Sequence, residues 1–268
     1  MTVHALVLRT AGINCDEETV RALASAGAEV ELLHLNALLQ RPERLTEAGL
    51  LVLPGGFSYG DDVAAGRVFG VELHKHLGAE IAAYVANGGR VLGICNGFQV
   101  LVELGLFEPD RAPHERTVAL TDNASNRFEA RWVTLRPEAC AAGWLASLDE
   151  LPCPVAHGEG RLVVADDAAL ERLRANGQIA LRYVDPASPG EPAAYPANPN
   201  GAVDDVAGLC DPSGRVLGLM PHPERNLTPW NHPRWTRMSP RTEGEGAAFF
   251  RALVAAAESD RPLTATTT

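Results

Sequence analysis

No cluster of lysine and arginine interrupts this 268-residue chain, in which 34 acidic side chains outnumber 23 basic ones for a formal net charge of −11. Nucleic-acid binders normally carry a basic footprint, so no nucleic-acid partner is expected. No run of 18 apolar residues occurs, which leaves no segment suited to crossing a bilayer as a helix. The first residues lack the basic and long apolar regions of a secretory leader, and no membrane contact is expected. The cysteines are Cys15, Cys95, Cys140, Cys153 and Cys210, an odd number without a C-x-x-C pair. That pattern speaks against a disulfide framework and against a thiolate zinc cluster, and it fits a reducing cytoplasm. Internal repeats are absent as well. What remains is an ordinary globular composition, 46% hydrophobic and 21% charged, long enough for one sizeable core. A single domain over residues 1–257 is expected, followed by a polar tail over 258–268 whose composition suits disorder.

The first third alternates between two periodicities. Ala5 to Leu8 and Leu50 to Leu53 are continuous apolar runs that suit strands buried on both faces, and Glu29 to Leu33 and Arg90 to Ile94 read as two further strands. Helical patterning fills Cys15 to Ala26, with Asp16 placed to cap its start, and Glu72 to Val85. Strand and helix in this rhythm predict an α/β fold built on an open, doubly wound, mostly parallel sheet. Ligands bind at the carboxyl ends of such strands. From about Val118 the rhythm changes. Thr117 to Leu120, Ala130 to Leu135, Arg161 to Val164, Ile179 to Val184, Val206 to Cys210 and Val216 to Met220 read as successive strands, with one clear helix among them at Ala168 to Ala175. This predicts an antiparallel extension in the second half, closed by an amphipathic helix over Gly244 to Ala257.

The stretch Val91 to Gln99 organises the candidate chemistry. An apolar run meets Cys95 between Gly93 and Gly97, and a helix-like segment follows. In the Gly-x-Ser-x-Gly form of this turn the nucleophile projects from a strained strand-to-helix elbow, and the glycines remove Cβ atoms that would collide. The helix N-terminus beyond it supplies free N–H groups and partial positive charge that favour a thiolate. Taken alone, the same stretch also allows an inert core cysteine.

A cysteine nucleophile needs a base. His222 follows the apolar run Val216 to Met220, and Glu224 stands two residues on, where an extended segment would bring both side chains to one side. Pro221 and Pro223 favour that extended shape. Glu224 would orient the ring, His222 would take the thiol proton, and Cys95 would attack a carbonyl carbon. His-x-Glu by itself also fits a solvated surface pair. Donors for an oxyanion would come from the backbone N–H of Asn96 and from the loop Leu53 to Asp61, where Gly55 and Gly56 let the backbone turn toward the site. Pro-Gly-Gly alone is usually a tight turn, and a phosphate cradle is not indicated because no Lys-Ser/Thr pair follows.

Pro54-Gly55-Gly56, Gly93-x-Cys95-x-Gly97-x-Gln99 and His222-Pro223-Glu224, in this order and spacing, resemble the class I (triad) glutamine amidotransferases, whose sheet is flavodoxin-like. Gly12 to Asp16, Gly56 to Asp61, Asn123 to Trp132, Ala156 to Arg161 and Asn198 to Gly201 are similar to one branch of that family, the glutaminase subunits of phosphoribosylformylglycinamidine synthase. Two departures are Ala202, where serine is expected, and the long segment Asn226 to Glu243. The resemblance implies hydrolysis of glutamine to glutamate and ammonia through a thioester on Cys95. Ammonia would pass to a large ATP-dependent synthetase subunit that converts formylglycinamide ribonucleotide to the amidine in purine biosynthesis, with a small accessory subunit in the same complex. It implies no cofactor or metal in this chain, with ATP and magnesium on the synthetase, and it assigns Gly55 and Gln99 to glutamine binding.

His157, Glu159 and Arg161 would share one side of an extended segment with bare Gly158 and Gly160 on the other, placing them at the synthetase interface or the ammonia exit. Asn123, Arg127 and Glu129 could serve similarly or form a structural ion-pair network. An alternative function is a free-standing cysteine hydrolase of γ-glutamyl compounds or peptides on the same scaffold. A regulatory subunit with a dead site is disfavoured by the intact Cys95, His222 and Glu224. A papain-like protease is disfavoured by the missing local signature around its cysteine.

Overall fold

A computed structural model describes residues 2–259, and the expected disordered tail lies outside them apart from its first two residues. The chain runs β1 (His4–Arg9), α1 (Asp16–Ser25), β2 (Glu29–His34), α2 (Leu35–Gln40), α3 (Arg44–Glu47), β3 (Leu50–Leu53), α4 (Arg67–Ala86), β4 (Arg90–Ile94) and α5 (Asn96–Leu104). It continues through β5 (Val118–Asp122), β6 (Glu129–Pro137), β7 (Leu151–His157), β8 (Glu159–Val164), α6 (Asp167–Ala175), β9 (Ile179–Val184), β10 (Val206–Cys210), β11 (Val216–Leu219) and α7 (Glu245–Ser259).

Nine strands form one sheet in the order β2-β1-β3-β4-β11-β10-β9-β6-β7. The first five are parallel to one another, and the remaining pairings are antiparallel. The parallel half thus has the flavodoxin-like order. Its strands are buried on both faces: every residue of β3 and β11 is buried, as expected where helices cover both sides of a sheet. β5 and β8 form a separate two-stranded sheet. One hydrophobic cluster runs from Val3 through Leu92, Leu181 and Leu217 to Val254, so both halves of the chain share a core.

Several local expectations need correction. β11, which the sequence places in the antiparallel half, joins the two halves: it pairs in parallel with β4 and antiparallel with β10. α4 begins at Arg67, five residues before the expected start. Asp16 does not cap α1; the capping position is Cys15, and the Asp16 carboxylate accepts from Arg9 Nη1 at 3.3 Å instead. α2, α3 and β7 were not foreseen.

β7 is the terminal strand of the sheet. Its two prolines, Pro152 and Pro154, are opposite Thr134 and Trp132 of β6. Proline cannot donate to a ladder and is tolerated where its nitrogen faces away from the neighbouring strand. The carbonyls on that outer side are used: Pro152 O accepts from Asn226 Nδ2 at 2.6 Å and Pro154 O from His222 N at 2.8 Å. Ala156 O lies 3.9 Å from Cys95 Sγ.

The two departures have local explanations. Ala202 N donates to Asn198 Oδ1 and Asn200 Oδ1 at 3.1 and 3.0 Å, so asparagines hold this turn through backbone groups that alanine retains. Segment 226–243 folds as short 3-10 turns whose ends are tied by Gly244 N to Leu227 O at 2.9 Å, and the His232 ring packs edge-on to Trp132 at 4.9 Å.

Candidate active site

The chain leaves β1 toward β2 on one side and toward β3 on the other, which makes the carboxyl ends of β1 and β3 the switch point of the sheet. Four segments meet beside it: residues 10–15 after β1, 54–61 after β3, Cys95 after β4, and 220–226 after β11.

Cys95 has φ 51° and ψ −107°, a left-handed conformation that costs a non-glycine residue on the order of 1–3 kcal/mol and persists only where the surroundings enforce it. Two contacts enforce it here. Cys95 N donates to Leu219 O at 2.8 Å, tying the elbow to β11. A Cβ on Gly97 would stand 1.9 Å from Leu53 O, so only glycine lets the first turn of α5 rest against the end of β3. The first N–H groups of a helix have no partner within it, and at Asn96 this leaves a donor beside the nucleophile.

His222 and Glu224 are both buried, and His222 Nδ1 lies 2.6 Å from Glu224 Oε1. They meet by a route the sequence did not suggest. Residues 223–225 form a 3-10 turn rather than an extended segment; Pro223 opens it, since its fixed φ suits the first position of a helical turn. Burial alone would lower the His222 imidazole, but the Glu224 carboxylate and the neighbouring Cys95 hold it well above its ordinary value. Among the described residues, no hydrogen-bond partner reaches His222 Nε2, the nitrogen left free by Glu224, and Cys95 is in electrostatic reach of the ring. Such contacts commonly tighten only when substrate binds.

The loop after β3 reaches this pair from the switch-point side. Cys15 N donates to Gly55 O at 3.1 Å and Phe57 N to Gly12 O at 2.9 Å, so the loop after β1 braces it. A Cβ on Gly55 would stand 2.8 Å from His222 Cε1. The Asn96 side chain joins loop to elbow: its Oδ1 accepts from Ser58 N at 3.2 Å, while Nδ2 donates to Asp61 Oδ1 at 3.2 Å and to Gln99 Oε1 at 3.0 Å. The sequence did not single out Asp61 for this bond.

A cleft of about 440 Å³ opens over Cys95 and is lined by Gly56, Gln99, His157 and Glu159 among others, with Phe57 and Phe128 exposed on its wall. Gln99 Nε2 donates to Glu159 O at 2.6 Å, so the Gln99 amide spans from the elbow helix to the opposite wall. The expected common face of His157, Glu159 and Arg161 does not form, because the chain passes from one sheet to the other at Gly158. His157 turns inward, its Nδ1 3.0 Å from Asn123 Oδ1, and burial together with the charge of His222 pushes its imidazole down to about 4. The Glu159 carboxylate accepts from Ala65 N at 3.3 Å. Arg161, on β8 opposite Thr121, does not line the cleft. Ser125 Oγ and Arg131 both bond the buried Glu129 carboxylate, which gives Glu129 a structural partner set.

Cys15, Glu18, His222 and Glu224 offer ligand atoms within 4.8 Å of one another, the one such group among the described residues. Arg225 occupies it, donating Nη2 to Cys15 Sγ at 3.0 Å and Nε to Glu18 Oε1 at 2.7 Å, and a guanidinium so placed opposes a metal cation. The sequence showed no role for Cys15 or Arg225; the signals were that Cys15 lies in the Gly12 to Asp16 stretch similar to the glutaminase subunits and that Arg225 directly follows the His222-Pro223-Glu224 motif.

Residues 2–255 match the model of the CobB/CobQ-like glutamine amidotransferase domain. The phosphoribosylformylglycinamidine synthase subunit PurQ of Dehalococcoides mccartyi is 41% identical over 249 residues, covering 92% of this chain and 95% of the relative. PurQ of Methanococcus maripaludis is 41% identical over 233 residues, covering 86% and 85%. Among solved structures, a chain of PurLQS from Thermotoga maritima superposes with a TM-score of 0.67 at 30% identity, covering 94% of this chain and 98% of that one. The glutaminase domain of Trypanosoma brucei CTPS, at 14% identity and a TM-score of 0.57, shares the fold. With the match spanning nearly the whole chain and the relatives covered almost end to end, this protein belongs to the CobB/CobQ-like glutamine amidotransferase family.

Proposed function

We propose that this chain is the glutaminase subunit of a phosphoribosylformylglycinamidine synthase, hydrolysing glutamine and supplying ammonia to a synthetase partner. The observation that carries the reading is the buried His222–Glu224 pair, 2.6 Å apart, beside an elbow cysteine in a chain 41% identical to PurQ.

The site residues take these roles. Cys95 attacks the side-chain amide carbon of glutamine as a thiolate, forming a carbon–sulfur bond while the carbonyl π electrons move to oxygen. The Gly56 and Asn96 N–H groups receive that oxyanion; losing one such donor typically costs about 2.7–4 kcal/mol of transition-state stabilisation. The His222 imidazolium, oriented by Glu224, gives its proton to the departing ammonia, leaving a γ-glutamyl thioester. Neutral His222 then takes a proton from water, which attacks the thioester and releases glutamate and the Cys95 thiolate. Gly55 and Gln99 line the glutamine position.

The likeness to a chain of PurLQS from Thermotoga maritima supports assembly with other subunits, which in this reading are a large synthetase subunit and a small accessory subunit. ATP and magnesium belong on the synthetase. Phe57 and Phe128, exposed on the cleft wall, suit an apolar contact that covers the cleft and gives ammonia a dry exit, with His157 and Glu159 in the cleft lining. No helix among the described residues is long and apolar enough to cross a membrane, and the proposed place of action is the cytoplasm.

The test is Cys95→Ala in the reconstituted complex. Glutamine-dependent amidine synthesis should vanish while ammonia-dependent synthesis persists. Loss of both with the assembly intact would refute the division of labour, and high glutaminase turnover without any partner would favour a free-standing hydrolase.

A further inference from the structure

Two cysteines lie beside the His222 ring. Cys95 comes from the elbow, and Cys15 comes from the loop before α1, where a Cβ on Gly55 would lie 3.1 Å from Cys15 Sγ and 2.8 Å from His222 Cε1. Cys15 is buried and held along its length: its N donates to Gly55 O at 3.1 Å, its O accepts from Thr19 N and Oγ1 at 3.1 and 2.7 Å, its thiol donates to Asn14 Oδ1 at 3.4 Å, and its sulfur accepts from Arg225 Nη2 at 3.0 Å. Arg225 is fixed in turn by Glu18.

We propose that Cys15, clamped by Arg225, is a positioning residue for His222: its thiol fills the gap that side-chain-free Gly55 leaves beside the imidazole and keeps the ring aimed at Cys95. The inference rests on the reading of Cys95 as nucleophile.

The physical need is plain. Among the described residues, His222 has one hydrogen bond to a side chain, at Nδ1, and a ring held by one bond can swing about it. A misplacement of about 1 Å at a reacting group can cost a hundredfold in rate. Sulfur suits the position because it is bulky, polarizable and only a weak acceptor, so it packs against the ring whether the ring is neutral or charged. Burial pushes the Cys15 thiol up, which keeps it protonated and out of competition with Cys95 as a nucleophile. The charged and titratable groups around the ring are Cys95 from the elbow, Cys15 and Glu18 from the start of α1, Glu224 and Arg225 from its own turn, and His157 from β7. Of these, the Cys15 sulfur, within 4.8 Å of a ring nitrogen, turns a weakly negative, polarizable atom toward the imidazolium.

The experiment compares Cys15→Ala, Cys15→Ser and Arg225→Gln in the assembled complex with glutamine as substrate. Cys15→Ala should lower kcat about tenfold with KM nearly unchanged, and should move the alkaline limb of the pH profile to lower pH, because the imidazolium loses a supporting neighbour. Cys15→Ser, smaller than the thiol and a stronger hydrogen-bonding group, should recover only part of the kcat lost in Cys15→Ala. Where Cys15→Ala does not fold, Arg225→Gln carries the test: kcat should fall with KM nearly unchanged, while loss of the guanidinium charge favours the imidazolium and moves the alkaline limb the other way, to higher pH. Unchanged kcat and pH limb in Cys15→Ala or Arg225→Gln overturns the inference, as does a loss of activity that follows melting temperature alone and leaves the limb in place. Iodoacetamide alkylation of the wild-type complex, mapped to Cys95 by mass spectrometry, separates the failures: hydrolysis surviving complete Cys95 alkylation refutes the nucleophile assignment itself.

Discussion

His222 Nδ1 lies 2.6 Å from Glu224 Oε1 across a single intervening proline, and the two side chains are 2% and 0% exposed. So tight a buried pair is held by the turn that contains it: Arg225 N donates to His222 O at 3.1 Å and Asn226 N to Pro223 O at 3.0 Å. The carboxylate therefore reaches the ring with little conformational freedom left to lose.

Glu224→Gln keeps the shape and removes the charge. An equivalent amide in a serine triad lowers kcat by about four orders of magnitude, and a fall of roughly 10²- to 10⁴-fold in glutamine hydrolysis is expected here. Since Glu224 holds the His222 imidazole up, the alkaline limb of the rate profile should also move to lower pH. Steady-state kinetics over the pH range measures both.

Gly55→Ala places a methyl group 2.8 Å from His222 Cε1 and 3.1 Å from Cys15 Sγ. The ring must shift, and kcat should fall by about a hundredfold, while chemical denaturation shows a smaller change than for a core substitution.

Gly97→Ala meets backbone rather than side chain, 1.9 Å from Leu53 O. The start of α5 cannot yield without leaving β3, so this variant should lose about 1–3 kcal/mol or more of stability in urea unfolding, together with reactivity of the thiol.

His157 supplies a pH dependence of stability with a definite sign. Its imidazole is pushed down to about 4 in the folded chain, against about 6.5 in the unfolded one. Below about 6.5 the unfolded state takes up a proton that the folded state refuses, so the contribution is present above that pH and is lost as pH falls toward 4. At about 1.4 kcal/mol per pH unit, roughly 3 kcal/mol is at stake. Melting curves of His157→Gln should show a flatter acid side over this window than the parent; an identical slope would place the effect elsewhere.

β3 and β4 were legible as short, mostly apolar runs: Leu50 to Leu53 and Arg90 to Ile94 were located to the residue. β7 was hidden because Pro152 and Pro154 read as strand breakers, and only the sheet order shows that they lie on an outer edge where that rule relaxes. α1 was legible but its cap was not, since Asp16 was claimed by Arg9, a tertiary contact. At the site, the meeting of the segments carrying Cys95, His222 and Gly55 was readable from the strand-end rule, whereas the 3-10 turn at Pro223 and the inward rotation of His157 toward Asn123 depend on neighbours distant in sequence. The Cys15–Arg225 contact spans 210 positions, and no local pattern reports it.

The outer rim of β7 has a further consequence. Unpaired strand borders recruit strands from neighbouring molecules, and here the bare carbonyls of Pro152 and Pro154 are stoppered by Asn226 and by the backbone of His222. The turn that presents the imidazole is thus also the seal on the sheet's last border. Mutations that loosen it should reduce solubility along with turnover, linking loss of chemistry to self-association.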